Sequence, residues 1–269
     1  MDTGLRSPLI DLFRRGEVAH DVRLLAARGA FAPRAIDQLA LLALLVDDPD
    51  PAVAAAADQT LGRIAPGILA AFLARPDVPQ GLRAFFAARG VEAAPDAGGD
   101  GDAPLIEAQD ADAGIGEEAE AEADAVAGDD ARQPAVQRLM GMTLTDKLKV
   151  ALKGSREERA ILIRDPNKMV AAAVLSSPRL GDDEIEGFAR MATIAEDILR
   201  TIAANRAWTR NYGVILGLVR NPKTPLAVSL NLLARLNDRD VNAVSIDRNV
   251  PDPLRIAARR KVVTSSSRR

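Results

Sequence analysis

Residues 77–83 read Asp-Val-Pro-Gln-Gly-Leu-Arg, and residues 249–255 repeat the phrase as Asn-Val-Pro-Asp-Pro-Leu-Arg. A related phrase, Asn-Pro-Lys-Thr-Pro-Leu, occupies residues 221–226, which places its Asn 28 residues before the Asn of the second copy. A looser version occupies residues 48–53. In each phrase a short polar side chain and prolines end one helix and open the next, since proline is tolerated in a first helical turn. Short helices separated by prolines predict an all-α protein built from helical repeats.

Proline, glycine and capping residues divide the chain into short predicted helices. Ser155 with Glu158, and Thr193 with Glu196, match the capping box, in which each side chain accepts a hydrogen bond from a free N–H of the first turn. The predicted helices span about 8–15, 17–28, 33–46, 51–63, 66–74 and 79–89, and then 145–153, 155–164, 167–176, 182–191, 194–205, 207–219, 225–236, 239–247 and 253–262.

The net charge of −3 conceals a strong separation of charge along the chain. Residues 1–95 have a net charge of −1, residues 96–130 of −13 and residues 131–269 of +11. We therefore predict an N-terminal helical-repeat domain over 1–95, a disordered acidic linker over 96–130 and a basic C-terminal helical-repeat domain over 131–269 that ends in a short basic tail.

The acidic segment has few side chains to bury, namely Leu105, Ile106, Ile115 and Val126. Because so little burial cannot offset the conformational entropy of ordering the segment, we predict disorder. Two interpretations stay open. The segment is either a solubilising tether, or a decoy that covers the basic domain until a tighter partner displaces it.

The composition excludes several classes of site. The chain has no cysteine and a single histidine, His20, so thiolate metal sites, disulfides and histidine-based catalytic pairs lack their residues. It has no glycine-rich phosphate-binding loop. We predict no catalytic residues, no metal and no cofactor. The longest apolar run, residues 39–46, is too short to span a membrane, and no signal-peptide pattern is present, so we expect a cytoplasmic protein without membrane contact.

Two longer spacings carry a family resemblance. Residues 196–206 align with 239–249 at a spacing of 43, which is similar to HEAT and armadillo repeats. Residues 164–178 and 220–233 also resemble the leucine-rich-repeat-variant units of bacteria. The resemblance implies two short HEAT-like α-solenoid domains, each a curved stack of helices that binds another macromolecule. The iron–sulfur cluster associated with the variant-repeat family does not carry over, because the chain lacks cysteine.

One candidate binding cluster surrounds the only Trp and the only Tyr of the chain. On the predicted helix 207–219, Trp208 and Tyr212 are four residues apart and share a face, while Arg206 and Arg210 share a neighbouring one. These residue types are enriched at binding hot spots and also stack on nucleobases. The alternative is that both rings fill gaps in an alanine-rich core.

A second candidate set lies at predicted helix starts and comprises Asn221, Lys223, Arg248 and Asn249. Helix starts aligned along one edge of a repeat protein expose N–H groups that bind anions. The alternative is ordinary capping, for which Asn is a usual residue.

The leading functional prediction is a non-catalytic protein–protein interaction scaffold or adaptor. The alternative is a nucleic-acid-binding module that uses the basic residues 131–269, or a HEAT-like DNA base-excision enzyme, which needs an acidic residue that we cannot assign. The dependence of affinity on salt concentration distinguishes protein binding from nucleic-acid binding, because contacts to phosphates weaken steeply as the salt concentration rises.

Overall fold

The computed structural model describes residues 7–32, 34–94, 103–106 and 129–266. These residues form sixteen α-helices and one 3-10 turn and contain no β-strand, which confirms the prediction of an all-α fold. The elements are α1 (Pro8–Arg14), α2 (His20–Ala27), α3 (Ala35–Leu45), α4 (Pro51–Gly62), α5 (Pro66–Leu73), α6 (Gln80–Ala87), α7 (Asp129–Met140), α8 (Leu144–Lys153), α9 (Arg156–Leu162), α10 (Lys168–Leu175), α11 (Asp182–Arg190), α12 (Glu196–Ala204), the 3-10 turn η1 (Trp208–Arg210), α13 (Tyr212–Arg220), α14 (Leu226–Leu233), α15 (Asp238–Ile246) and α16 (Asp252–Ser266).

The chain divides into two compact units. The first unit comprises Met1–Gly154 and Leu175–Pro178, and the second comprises Ser155–Val174 and Arg179–Arg269. The domain boundaries predicted at 95 and 130 border residues that lie outside the described ranges, and they stay predictions. Helix α7 was not predicted, and it begins at Asp129, inside the expected linker.

The first unit is organised around α3, whose sequence is apolar on almost every side. Leu39, Ala40 and Leu42 have no exposed surface, and α3 packs against α1, α2, α4 and α6. Such a helix is stable only where neighbours cover it all round.

In the second unit, a helix can contact both the helix that follows it in the sequence and the one after that. Helix α11 packs against α9 and α13, and α14 packs against α16. Ile202, Val214 and Leu218 are completely buried in these contacts. These helices therefore bury apolar side chains against helices that are near them in the sequence.

Five Asn or Asp side chains repeat the same turn between helices. Each accepts a hydrogen bond from the backbone N–H two residues further on, at 2.8–3.0 Å, and the residues are Asp48, Asp165, Asn205, Asn221 and Asp247. This shared turn makes Asn221 equivalent to Asp247, which lies 26 residues later. The sequence phrases instead matched Asn221 with Asn249, which lies 28 residues later. That match is wrong. Asp and Asn oxygens accept this bond equally well, and identical residue letters were therefore a misleading guide.

The two predicted capping boxes have different outcomes. Ser155 and Glu158 form one, since the Glu158 N–H donates to Ser155 Oγ (3.3 Å) and the Ser155 N–H donates to Glu158 Oε2 (2.9 Å). The box predicted at Thr193 is wrong, because α12 begins at Glu196 after an extended Ala195. The carboxylate of Glu196 accepts a hydrogen bond from Arg200 (2.7 Å) instead.

Most of the predicted acidic linker lies outside the described residues, but 103–106 is described and is bound to the first unit. Ile106 is buried, and both of its backbone polar groups hydrogen-bond to the side chain of Gln38. A β-branched apolar side chain and two satisfied backbone groups stabilise an ordered conformation even within an acidic sequence. Ile106 is therefore held against the first unit within the segment that was predicted to be a linker.

Candidate functional site

The aromatic cluster does not form the single helical face that was predicted. The predicted helix 207–219 is split into η1 and α13 by Asn211, whose backbone is extended and whose Oδ1 accepts the Gly213 N–H at 2.8 Å. Asn side chains compete in this way with helical hydrogen bonding. Trp208 therefore lies half-buried in the 3-10 turn, while Tyr212 begins the next helix.

Tyr212 connects the start of α13 to the start of α15. Its hydroxyl donates to Asp240 Oδ2 at 2.5 Å and accepts the Asn237 N–H at 3.3 Å. Asp240 also lies 3.7 Å from the guanidinium of Arg220. Burial raises the pKa of Tyr212, and the hydrogen bond to Asp240 raises it further. The ring thus has a structural role, although 38% of it stays exposed.

Arg206 and Arg210 are the available cations beside this turn. Both are exposed, and neither side chain has an ion pair or hydrogen bond with any residue in the described part of the chain. The neighbouring Thr209 is buried, and its carbonyl accepts a hydrogen bond from Arg235 at 2.6 Å. Two guanidinium groups without a partner among the described residues therefore lie in the connection between α12 and α13.

Asn221 has a different role from the other members of the helix-start set. It is 3% exposed, and its Nδ2 donates to the carbonyls of Ala189 (2.9 Å) and Met191 (3.0 Å). Both amide N–H groups are therefore used to hold α13 against the end of α11. Sequence reasoning missed this role, because a buried Asn and an exposed capping Asn look alike. Lys223, Arg248 and Asn249 are exposed.

The two candidate sets lie at opposite ends of α13. Tyr212 is its first residue and Arg220 its last, which corresponds to a separation of about 12 Å along the helix axis. The first set is at the α12–α13 connection, whereas the second is at the α13–α14 and α15–α16 connections. The eight residues therefore do not form one site.

The starts of three helices meet at an open groove of about 600 Å³ in the second unit. We call it the helix-start groove. It is lined by Glu196 of α12, by Leu226 and Ala227 of α14, and by the turn residues Pro222, Lys223, Thr224, Pro225 and Pro251. Of the four residues predicted at helix starts, Lys223 belongs to the lining of this groove.

An exposed apolar surface continues from the groove along α14. Leu226 and Leu230 are four residues apart on this helix and are 37% and 38% exposed, and Ile256 of the adjacent α16 is 49% exposed. Sequence reasoning did not single out these residues. The available signal was that α14, with the sequence Leu-Ala-Val-Ser-Leu-Asn-Leu-Leu, has no charged residue to face water.

His20 contacts the carboxylate that caps α4. Its Nε2 lies 3.0 Å from Asp50 Oδ2, and Asp50 caps α4. The Ala52 N–H lowers the pKa of Asp50, and His20 adds a smaller effect in the same direction. Among the residues described by the structure, no three His, Asp or Glu side chains lie close enough to share a metal ion.

Comparison with protein-family models, with curated proteins and with solved structures gives no match. In the described ranges, none of the helices has the length and apolar character that crossing a membrane requires.

Proposed function

We propose that this chain is a non-catalytic protein-binding scaffold or adaptor of the helical-repeat class. The binding surface is the helix-start groove together with Leu226 and Leu230 of α14. The observation that supports the proposal is that these two leucines remain exposed beside a concave groove within a well-packed unit. Exposed apolar residues that adjoin a groove are typical of surfaces that another protein covers.

The chemistry of the groove favours a protein partner over a nucleic acid. Its lining includes three prolines, a leucine and an alanine, and it contains one cation, Lys223. Nucleic-acid affinity comes mainly from neutralising several phosphates. Burial of apolar surface instead stabilises a protein complex and depends little on salt.

A photo-crosslinking amino acid at Ala227, an exposed groove residue, identifies the partner in extracts of the source cell. The control carries the same probe at Ile68, which is 54% exposed on α5 of the first unit. The purified partner is then titrated against the native chain and against Leu230→Asp. We expect a carboxylate at this position to weaken binding at least tenfold, about 1.4 kcal/mol. Equal affinities for the native chain and Leu230→Asp would exclude this surface.

A second candidate function is nucleic-acid binding through Arg206 and Arg210. It is favoured by one observation, that both guanidinium groups are exposed and unpaired among the described residues. The test is binding of duplex and single-stranded DNA to the full chain at two salt concentrations, with Arg206→Glu/Arg210→Glu as the variant. Strong binding that falls with salt and is lost in the variant would favour this function over the scaffold.

A further inference from the structure

A buried glutamine in the first unit binds the backbone of a short non-helical segment. Gln38 is 1% exposed on α3. Its Nε2 donates to the Ile106 carbonyl at 2.7 Å and to the Gly29 carbonyl at 3.2 Å, and its Oε1 accepts the Ile106 N–H at 3.1 Å. One side chain thus satisfies both backbone groups of a residue 68 positions away in the sequence.

The side chain of Ile106 lies beside Gly29 and Thr60. Gly29 has a φ of +95°, and a Cβ placed on it would lie in ordinary contact with Ile106 Cγ2 (3.7 Å), Thr60 Cγ2 (3.8 Å) and Gln38 Nε2 (3.4 Å). The left-handed backbone, rather than a lack of space, favours glycine at this position. We call the site formed by Gly29, Gln38 and Thr60 the Gln38 pocket.

The Gln38 pocket has the properties of a peptide-binding site. Hydrogen bonds to backbone N–H and C=O groups provide affinity whatever the side chain, and a shaped apolar space provides selectivity, as in other modes of peptide recognition. Without an occupant, the buried amide of Gln38 would lose two of its three partners. Leaving buried polar groups unpaired costs free energy, so the pocket is more stable when a backbone segment is bound to Gln38.

A positively charged groove adjoins the pocket. It lies between α2 and α4, has a volume of about 700 Å³ and includes Thr60, which also borders the pocket. Arg28 and Arg63 line this groove, are exposed, and have no ion pair or hydrogen bond to another described residue. Two unpaired guanidinium groups attract carboxylates that flank the bound residue.

The sequence around the present occupant has the matching charge. Residues 100–112 read Asp-Gly-Asp-Ala-Pro-Leu-Ile-Glu-Ala-Gln-Asp-Ala-Asp, with five carboxylates and no cation. An isoleucine flanked by acidic residues is therefore the chemistry that the pocket already accepts.

We propose that the Gln38 pocket and the Arg28/Arg63 groove form a peptide-binding site for an acidic segment of a partner protein. That segment presents one β-branched apolar residue to the pocket. Residues 103–106 are the built-in occupant, which the partner segment displaces. This site lies in the first unit and does not depend on the helix-start groove of the second.

The test is fluorescence anisotropy of a labelled peptide with the sequence of residues 100–112, added to the full chain. Ile106→Asp places a carboxylate in the apolar space and empties the pocket. We expect this variant to bind the peptide at least tenfold more tightly than the native chain does. The control peptide, with aspartate in place of its isoleucine, is expected not to bind.

Site variants are made in the Ile106→Asp background. Gln38→Leu is expected to weaken peptide binding at least tenfold. The double variant Arg28→Glu/Arg63→Glu changes two exposed positions. We expect it to weaken binding of the acidic peptide several-fold. Binding of a control peptide, in which amides replace the carboxylates, is expected to stay unchanged. Circular dichroism verifies that each variant is folded. If Gln38→Leu unfolds the chain, peptide binding by the Arg28→Glu/Arg63→Glu variant tests the proposal instead.

Three results would overturn the proposal. The first is that the peptide does not bind Ile106→Asp at low salt. The second is that it binds Ile106→Asp and the native chain equally well. The third is that adding Arg28→Glu and Arg63→Glu to Ile106→Asp does not change its affinity for the peptide. Leu230→Asp is expected to leave peptide binding unchanged, so failure of this site and failure of the proposed function are distinguishable.

Discussion

The guanidinium of Arg159 forms a two-point ion pair with the carboxylate of Glu184 inside the second unit. Arg159 Nε lies 3.0 Å from Glu184 Oε1, and its Nη2 lies 2.8 Å from Oε2. Their side chains are only 5% and 8% exposed. Glu184 Oε2 also accepts the Gly181 N–H at 3.2 Å, so the pair holds α9 against the start of α11.

Removing one member of this pair is expected to be strongly destabilising. Arg159→Leu leaves the Glu184 carboxylate buried without its cation, at a cost of about 3–5 kcal/mol. Replacing both, as Arg159→Leu with Glu184→Leu, should recover most of this loss, because two apolar groups need no charge partner. Urea unfolding measures the free energies. Arg200→Ala, which breaks an exposed pair with Glu196, is the control, and we expect a change below about 1 kcal/mol.

Thr224→Val is expected to stabilise the chain. Thr224 is 4% exposed, and its Oγ1 has no hydrogen-bond partner among the described residues. Val78 and Val250 are the buried residues at the corresponding positions, each just before the proline that precedes a helix. Removing an unpaired buried hydroxyl should add about 1 kcal/mol to the free energy of unfolding.

The matched control for that substitution is Thr209→Val. Thr209 is 5% exposed, but its Oγ1 donates to the Asn205 carbonyl at 3.0 Å. The same chemical change should therefore destabilise the chain by about 1 kcal/mol. Urea midpoints that move in the same direction for both variants would contradict the assignment.

Tyr212→Phe is expected to lower stability by about 1 kcal/mol, because it removes the hydrogen bonds to Asp240 and Asn237. The pKa of Tyr212 is raised above the ordinary value of 10.0. The folded state therefore favours the protonated phenol, and this contribution is fully present below pH 10.0 and lost as the pH rises through the folded pKa. Urea midpoints of the two chains should converge as the pH rises above 10.0. A constant difference would argue against this coupling.

Lys261 is expected to stabilise the end of α14, the helix that borders the proposed binding groove. Its Nζ donates to the carbonyls of Leu233 (2.8 Å), Ala234 (3.0 Å) and Leu236 (3.3 Å). Lys261→Met removes this cap and should increase hydrogen exchange at the end of α14, with a loss of about 1 kcal/mol.

Arg260→Met provides the comparison for Lys261→Met. Arg260 is exposed, and its side chain has no ion pair or hydrogen bond in the described part of the chain. Its exchange pattern should match that of the native chain. Equal effects of the two substitutions would show that Lys261 acts through net charge alone.

Most of the helices could be predicted from the sequence, because their signals are local; α7 and the break at Asn211 were missed. Pro51 with its capping Asp50, and Ser155 with Glu158, act within a single turn of backbone, and the structure places a helix start at each. The apolar run from Leu39 to Val46 likewise identified the most buried helix of the first unit. Local hydrogen bonding and side-chain periodicity are sufficient for such predictions.

The roles of individual polar and aromatic residues depended on contacts between distant parts of the chain. Asn221 is buried because the carbonyls of Ala189 and Met191 come within reach, and Tyr212 is engaged because Asp240 does. The same holds for Ile106, which is ordered only because Gln38, 68 positions away, meets both of its backbone groups. The sequence alone thus determined an all-α chain with its sequence of helices, since propensity and capping act over a few residues. Only the tertiary structure decided which side chains are satisfied and which stay available, because a hydrogen bond requires both partners to meet in space.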